Sequence, residues 1–282
     1  VGCFQALSSK INILQVTFLV CFLSVFTTFT VVAANPPNIA VAASMKFAID
    51  DIAKQFTQQT GFRLRLSYGS SGNFASQIQH GAPFELLLSA DEIYPNKLIE
   101  AGLTQDAGEV YAIGRLALAV PKHSQMHLDG QLNGLKQLID GHKLQRFAIA
   151  NPEHAPYGER AKQALQTKGL WQDIEKNIIL GENASQAAQF AVSGSTQGGI
   201  VPLSLAMSDN FSRMGNYVVI ADELYDPINQ RMVLVNNASS VAQQFYAFIL
   251  SAPAHHILRQ YGFDVPPITA SKSNELTTME GR

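Results

Sequence analysis

Cysteine is scarce in this chain. Of 282 residues two are cysteines, Cys3 and Cys21, and both precede residue 35, so the rest of the chain can form no disulfide, thiolate metal site or cysteine nucleophile. Charge is sparse as well, at 15% of residues, and nearly balanced, with 20 Lys and Arg against 22 Asp and Glu. The basic residues are scattered singly, which leaves no electrostatic footprint for a phosphate backbone and excludes nucleic acid as a partner. Long apolar runs are missing except for one, Ile11 to Val32, so the pattern is not that of a polytopic membrane protein. What is abundant is ordinary: 46% hydrophobic residues, enough to build a core and to exclude disorder for the bulk of the chain.

The single apolar run lies behind Lys10 and ends in Val32-Ala33-Ala34, just before Asn35-Pro36-Pro37. Small residues at the −3 and −1 positions before a helix-incompatible sequence read as a secretory signal, residues 1–34, cut after Ala34. An uncleaved anchor of the same length is the alternative. Both deliver the folded part outside the cytoplasm, and the signal reading makes it periplasmic. Cys21 does not read as a lipidation site, because branched Val20 precedes it where a small residue is expected.

From Asn38 onward, apolar runs alternate with amphipathic segments. Asn38 to Ala43 reads as a buried strand, and Met45 to Thr60 as a helix on the spacing of Met45, Ile49, Ile52, Ala53 and Phe56, stopped by Gly61. Strands follow at Phe62 to Tyr68 and Phe84 to Leu88, with a helix over Gly72 to His80 between them. Pro95 to Ala101 is a helix, and Val110 to Val120 one long extended run. A second series pairs Leu132 to Ile139 with Arg146 to Ala150, Gly158 to Lys168 with Ile178 to Leu180, and Ala184 to Val192 with Gly199 to Leu203. Two extended segments, Tyr217 to Ala221 and Arg231 to Val235, precede closing helices at Ser240 to Leu250 and Pro253 to Tyr261. Such alternation predicts α/β layers with largely parallel sheets. Phe245, Tyr246, Phe248 and Ile249 share a helix face and read as core packing.

The sharpest chemical signal lies where strands pass into helices. Ala42-Ala43-Ser44-Met45 and Tyr68-Gly69-Ser70-Ser71-Gly72-Asn73 are small or hydroxyl-bearing, and each helix start carries unpaired N–H groups and about half a positive charge. A serine there either caps the helix or gives its hydroxyl to a ligand. The first turns at Met45 to Phe47, Gly72 to Ala75 and Ala184 to Ala187 contain no acid, whereas the helix after Gly158 has Glu159. Starts without their own carboxylate are open to an external anion, and open α/β sheets gather such starts beyond the carboxyl ends of the strands. A site of donors alone favours a fully ionised dianion over hydrogen phosphate, whose proton needs an acceptor.

Rival chemistries are weakly supported. Gly69-Ser70-Ser71-Gly72 lacks the spacing of a nucleophile elbow, and no histidine or acid is marked as a partner, so an enzyme is not expected. Gly194 to Gly199 lacks the Lys-Ser/Thr ending of a phosphate loop. His123 with His127, and His255 with His256, read as solvated surface histidines rather than a metal site, and His154 as loop architecture.

Taken in order, Ala42-Ala43-Ser44, Gly69-Ser70-Ser71, Gln77-Ile78 with Gly81-Ala82-Pro83, Ser89-Ala90-Asp91, Asn151-Pro152-Glu153-His154-Ala155-Pro156-Tyr157-Gly158 and Tyr261-Gly262-Phe263 resemble the periplasmic molybdate-binding proteins of ABC transporters. The resemblance runs from Ile39 to Phe263. It implies an α/β fold of the two-lobed periplasmic-binding-protein type, each lobe a mostly parallel sheet flanked by helices, with the ligand cleft between lobes. It further implies a molybdate or tungstate ligand, no cofactor, no catalysis, a monomer, and an ABC permease as partner; sulfate stays open as another oxyanion. Ser44 and Ser71 match the family's ligand serines, while Tyr157 and Ala184 match positions that supply backbone N–H groups. Many members have a tyrosine where this chain has Pro202, so that donor is either lost or replaced by Ser204. On this architecture residues 35–118 open lobe 1, 119–221 form lobe 2, 222–268 return to lobe 1, and 269–282 are a disordered tail. The crossings are expected at Leu118 to Val120 and Val219 to Asp222.

Overall fold

The computed structural model describes residues 35–267; the expected signal segment 1–34 and tail 269–282 lie outside the described residues. Two five-stranded sheets organise the chain. The first has the order β2-β1-β3-β10-β4, with β1 at Asn38–Ala42, β2 at Arg65–Gly69, β3 at Leu86–Leu88, β4 at Glu109–Gly114 and β10 at Ile228–Leu234. The second has the order β7-β6-β8-β5-β9, from β5 at Leu116–Pro121, β6 at Phe147–Ala150, β7 at Ile178–Gly181, β8 at Gly199–Pro202 and β9 at Gly215–Val219.

The sheets are mixed rather than simply parallel. In the first, β1 pairs in parallel with β2 and β3, while β10 runs antiparallel to both β3 and β4. In the second, β6 is parallel to β7 and β8, and β5 is antiparallel to β8 and β9. One strand of each sheet is therefore reversed, and in each case it is the strand that has just crossed from the other sheet. The first crossing falls at Arg115, earlier than the expected Leu118 to Val120, and divides the long extended run into β4 and β5. The run is apolar on both sides of Arg115, so hydrophobic pattern alone does not say which sheet each half joins. The second crossing occupies residues 220–227. An ion pair ties the two crossings together, Arg115 Nη2 to Asp222 Oδ2 at 2.8 Å, and the Leu116 N–H donates to Tyr225 Oη at 3.1 Å.

Helices cover the sheets as the periodicity requires. A 3₁₀ turn, Ala43–Met45, leads into α1, Lys46–Thr60, which buries Ile49, Ile52 and Phe56 and ends at Gly61 with φ +76°, the left-handed region that favours glycine. The closing helices α10, Ser240–Ile249, and α11, Ala252–Gln260, return to pack on α1. Phe56 meets Phe245 edge-on at 5.2 Å and Phe248 at 5.5 Å, so the aromatic stripe is core. Between these lie α2, Ser71–Gln79, α3, Ile93–Glu100, α4, Asn133–Asp140, α5, Pro156–Thr167, α6, Trp171–Ile174, α7, Ala184–Val192, α8, Leu203–Ala206, and α9, Asp209–Met214.

The contact between α5 and β6 is unusually close. A Cβ on Gly158 would lie 2.1 Å from the Ala150 carbonyl oxygen and 2.6 Å from its carbon, and backbone cannot step aside as a flexible side chain can. This is why glycine follows Tyr157. Gly158→Ala is expected to lose about 1–3 kcal/mol of stability in urea unfolding, despite alanine's better helix propensity; an unchanged midpoint would refute the packing account.

Candidate functional site

The carboxyl ends of β1, β2, β3, β6 and β7 open onto one cavity. It is lined by residues 42–44, 69–71, Ala90, 155–157 and Ala184, so the four residues singled out from sequence, Ser44, Ser71, Tyr157 and Ala184, share it. Its empty volume is about 200 Å³, open mouth included. The lining is mostly Ala, Ser and Gly, which suits a small ion. No charged side chain lines it.

Neither serine is a helix cap. The turn holding Ser44 and the start of α2 have no side-chain cap hydrogen bond. Ser44 Oγ is buried and has no partner at hydrogen-bond distance, the Tyr157 phenol being its polar neighbour; an unmatched hydroxyl costs about 1–3 kcal/mol. Ser71 Oγ accepts from the Ala90 N–H at 2.9 Å, which leaves its own proton free to donate. The loop that delivers Ala90 is pinned: Tyr111 Oη donates to the Ser89 carbonyl at 3.3 Å, and Ser89 Oγ donates to Asp91 Oδ1 at 2.8 Å. Nothing in the spacing of Ser89-Ala90-Asp91 marks the loop for this part.

Tyr157 sits not in a loop but as the second residue of α5, behind Pro156, where a first-turn N–H has no intrahelical partner. Its phenol lies at the crossings, accepting from Gln230 Nε2 at 3.1 Å. Gly114 makes room for it, since a Cβ there would fall 1.9 Å from the phenol oxygen. Burial raises the phenol pKa well above its ordinary range, so it remains a neutral O–H. At α7, Asn183 Oδ1 accepts from the N–H groups of Ser185 and Gln186 at 3.0 and 3.1 Å. That cap does not take the N–H of Ala184, the α7 residue lining the cavity.

Two sequence expectations need correction. Ser204 does not replace a donor in the cavity: its hydroxyl is spent on the Ser44 carbonyl at 2.7 Å. Pro202 ends β8 and precedes α8, outside the lining. His255 is buried rather than solvated, while His256 is exposed, because neighbouring helix positions point about 100° apart. His154 stands at the rim, with Nδ1 3.0 Å from Ser70 Oγ and its carbonyl accepting from the Gly72 N–H at 3.0 Å. Beside it Asn73 Nδ2 donates to Glu182 Oε1 at 2.6 Å, and Tyr94 Oη to the Glu153 carbonyl at 3.1 Å. These rim contacts join segments far apart in sequence, and short-range spacing gave no sign of them.

A family model described as a bacterial extracellular solute-binding protein matches residues 37–264. The chain belongs to this family. A molybdate-binding protein, ModA, of Azotobacter vinelandii is 34% identical to this solute-binding protein over 229 residues, 80% of this chain and 88% of that one. The solved structure of the periplasmic molybdate-binding protein of A. vinelandii superposes with a TM-score of 0.74 at 28% identity, over 82% of this chain and 100% of that chain. The sulfate-binding protein SubI of Mycobacterium tuberculosis superposes with a TM-score of 0.68 at 14% identity, over 86% and 91% of the two chains, a likeness of fold alone.

The solute-binding protein also carries a titratable group next to the cavity. Burial pushes the Asp91 carboxyl up from 3.8 to about 6, outweighing the hydrogen bonds from Ser89 and the Tyr94 N–H and the attraction of Arg160, while Glu159 pushes it further up. Between these values the folded chain holds a proton that the unfolded chain has lost, so stability falls as pH rises from about 4 to about 6. Asp91→Asn keeps an acceptor for both donors and removes the ionisation. The variant should gain on the wild type over that window, by an amount on the order of 3 kcal/mol at pH 7, in melts run at pH 4, 5, 6 and 7. A constant difference across the series would overturn the assignment.

Proposed function

We propose that this chain captures molybdate or tungstate outside the cytoplasm and presents it to an ABC permease. The observation that carries the reading is a small cavity with neutral donors and no charged lining, in which the Ser44 hydroxyl is buried without a partner. A dianion leaving water needs several converging hydrogen bonds, each contributing roughly 1.5–3 kcal/mol when one partner is charged. Ser44 and Ser71 supply hydroxyls; Tyr157 and Ala184 supply first-turn N–H groups, in the partial positive field of their helices. With no carboxylate in the lining, a protonated anion such as hydrogen phosphate finds only neutral hydroxyl oxygens to take its proton among the side chains. The ModA relatives support molybdate over sulfate, because the likeness to the sulfate-binding protein extends to fold only.

The function is capture and release without covalent chemistry; the Ser70 hydroxyl, 3.0 Å from His154 Nδ1, serves to join two segments at the cavity rim. The two crossings at Arg115 and 220–227 form the hinge about which the lobes close on the anion. Residues 1–34 direct export to the periplasm, and the protein acts as a monomer.

Isothermal titration against molybdate, tungstate, sulfate, phosphate and Zn²⁺ is the direct test. Molybdate and tungstate should bind and stabilise the fold by RT ln(1 + [L]/Kd), with a rise in melting temperature; a response to Zn²⁺ or to phosphate alone would overturn the reading. Ser44→Ala and Ser71→Ala should each weaken molybdate binding by about 1–3 kcal/mol. Undiminished affinity in the double variant would show that the anion sits elsewhere.

A further inference from the structure

Serines in the helices of the second lobe, or at their ends, mostly satisfy their hydroxyls at home. Ser193 Oγ donates to the Phe190 carbonyl, Ser208 Oγ to that of Leu205 and Ser212 Oγ to that of Asp209, each three residues back. This is the usual local use of a helical hydroxyl. Two serines depart from it. Ser185, in the first turn of α7, donates to the Ala43 carbonyl at 3.1 Å, across 142 residues. Ser204, buried in α8, donates to the Ser44 carbonyl at 2.7 Å, across 160 residues. Both acceptors belong to the 3₁₀ turn that opens α1 in the first lobe, and Ser44 lines the cavity.

The consequence follows from the peptide unit. The Ala43 carbonyl shares its peptide with the Ser44 N–H, and the Ser44 carbonyl shares its peptide with the Met45 N–H. A hydrogen bond accepted by the carbonyl polarises the peptide and strengthens its N–H as a donor. It also binds carbonyl lone pairs that would otherwise repel an anion if they turned toward it. Because the hydroxyls and the carbonyls sit on different lobes, the bonds exist only while the lobes are together; when they part, water replaces the serine hydroxyls, and the Ala43 carbonyl keeps only the Lys46 N–H of its own turn.

We infer that Ser185 and Ser204 are positioning residues for the anion site, holding and polarising the Ser44 turn from the opposite lobe and so tying the strength of its donors to lobe closure. The inference rests on the anion-capture reading above. It gives Ser204 an indirect part in binding, through Ser44, in place of the direct one expected from sequence.

The test compares wild type with Ser185→Ala, Ser204→Ala, the double variant and Ser204→Thr, which keeps a hydroxyl. Affinity for molybdate is read by titration, and its release by chase of radiolabelled molybdate. Each single alanine variant should bind about three- to tenfold more weakly and the double variant about ten- to a hundredfold. The loss should appear in the release rate, with the association rate unchanged. Ser204→Thr should recover most of the affinity, and melting of the ligand-free variants should match that of wild type. Ser185→Ala, at a half-exposed first-turn position, keeps the test informative if Ser204 variants fold poorly. Affinity within twofold of wild type in the double variant, or a fall in ligand-free melting temperature in step with the affinity, overturns the inference. If Ser44→Ala weakens binding while the double variant does not, the capture reading stands and the inference alone falls. A wild type that binds neither molybdate nor tungstate overturns both.

Discussion

For the anion site proposed above, the constraint from which the architecture follows is the cost of taking a dianion out of water without a cation to meet it. An unpaired buried charge costs several kcal/mol, and with no lysine or arginine in the lining, the opposing free energy has to come from dipoles. One hydroxyl or one N–H is inadequate. Several must point at the same small volume, and the backbone supplies them most economically where helices begin. Placing the carboxyl ends of strands from two sheets against each other brings the starts of α1, α2, α5 and α7 to one point. The sheets, their order and the double crossing can be read as the means of that convergence.

Neutral donors also explain the treatment of the surrounding polar groups. Ser71 Oγ has its acceptor capacity taken by the Ala90 N–H, the Ala43 and Ser44 carbonyls are taken by Ser185 and Ser204, and Asn183 takes the N–H groups of Ser185 and Gln186 while leaving that of Ala184. Groups that would repel an anion are tied down, and groups that would attract it are left available. Ser44 Oγ, unpartnered, is the clearest instance. The stability forfeited there is the kind of local deficit that binding sites retain and that a well-packed core does not.

The lobes are held by a different set of contacts from those that line the cavity. Near the hinge, Arg115 pairs with Asp222 and Tyr225 holds the Leu116 N–H; at the rim, His154, Asn73 and Tyr94 reach across to Ser70, Glu182 and the Glu153 carbonyl. The pair at Arg115 is partly exposed, so its energetic contribution is small. Its position matters more, because it links the two segments at which the chain crosses between the sheets.

Period and punctuation in the sequence determined the element types: the 3.6-residue spacing of Ile49, Ile52 and Phe56, the apolar run at β1, and the glycine stops are local properties that short-range sterics enforce. The acid-free helix starts with their serines were equally legible, since a first turn attracts or repels charge through its own few residues. Three things were decided only by tertiary structure: the division of the Val110 to Val120 run at Arg115, the reversal of β5 and β10, and the use of Ser204 on the Ser44 carbonyl rather than in the cavity. Each depends on a partner roughly a hundred or more residues away, and a hydroxyl or an apolar strand carries no mark of which distant group it will meet. Chain folding alone selects that group, because only in the packed molecule does burial make an unpaired polar atom costly enough to choose its partner.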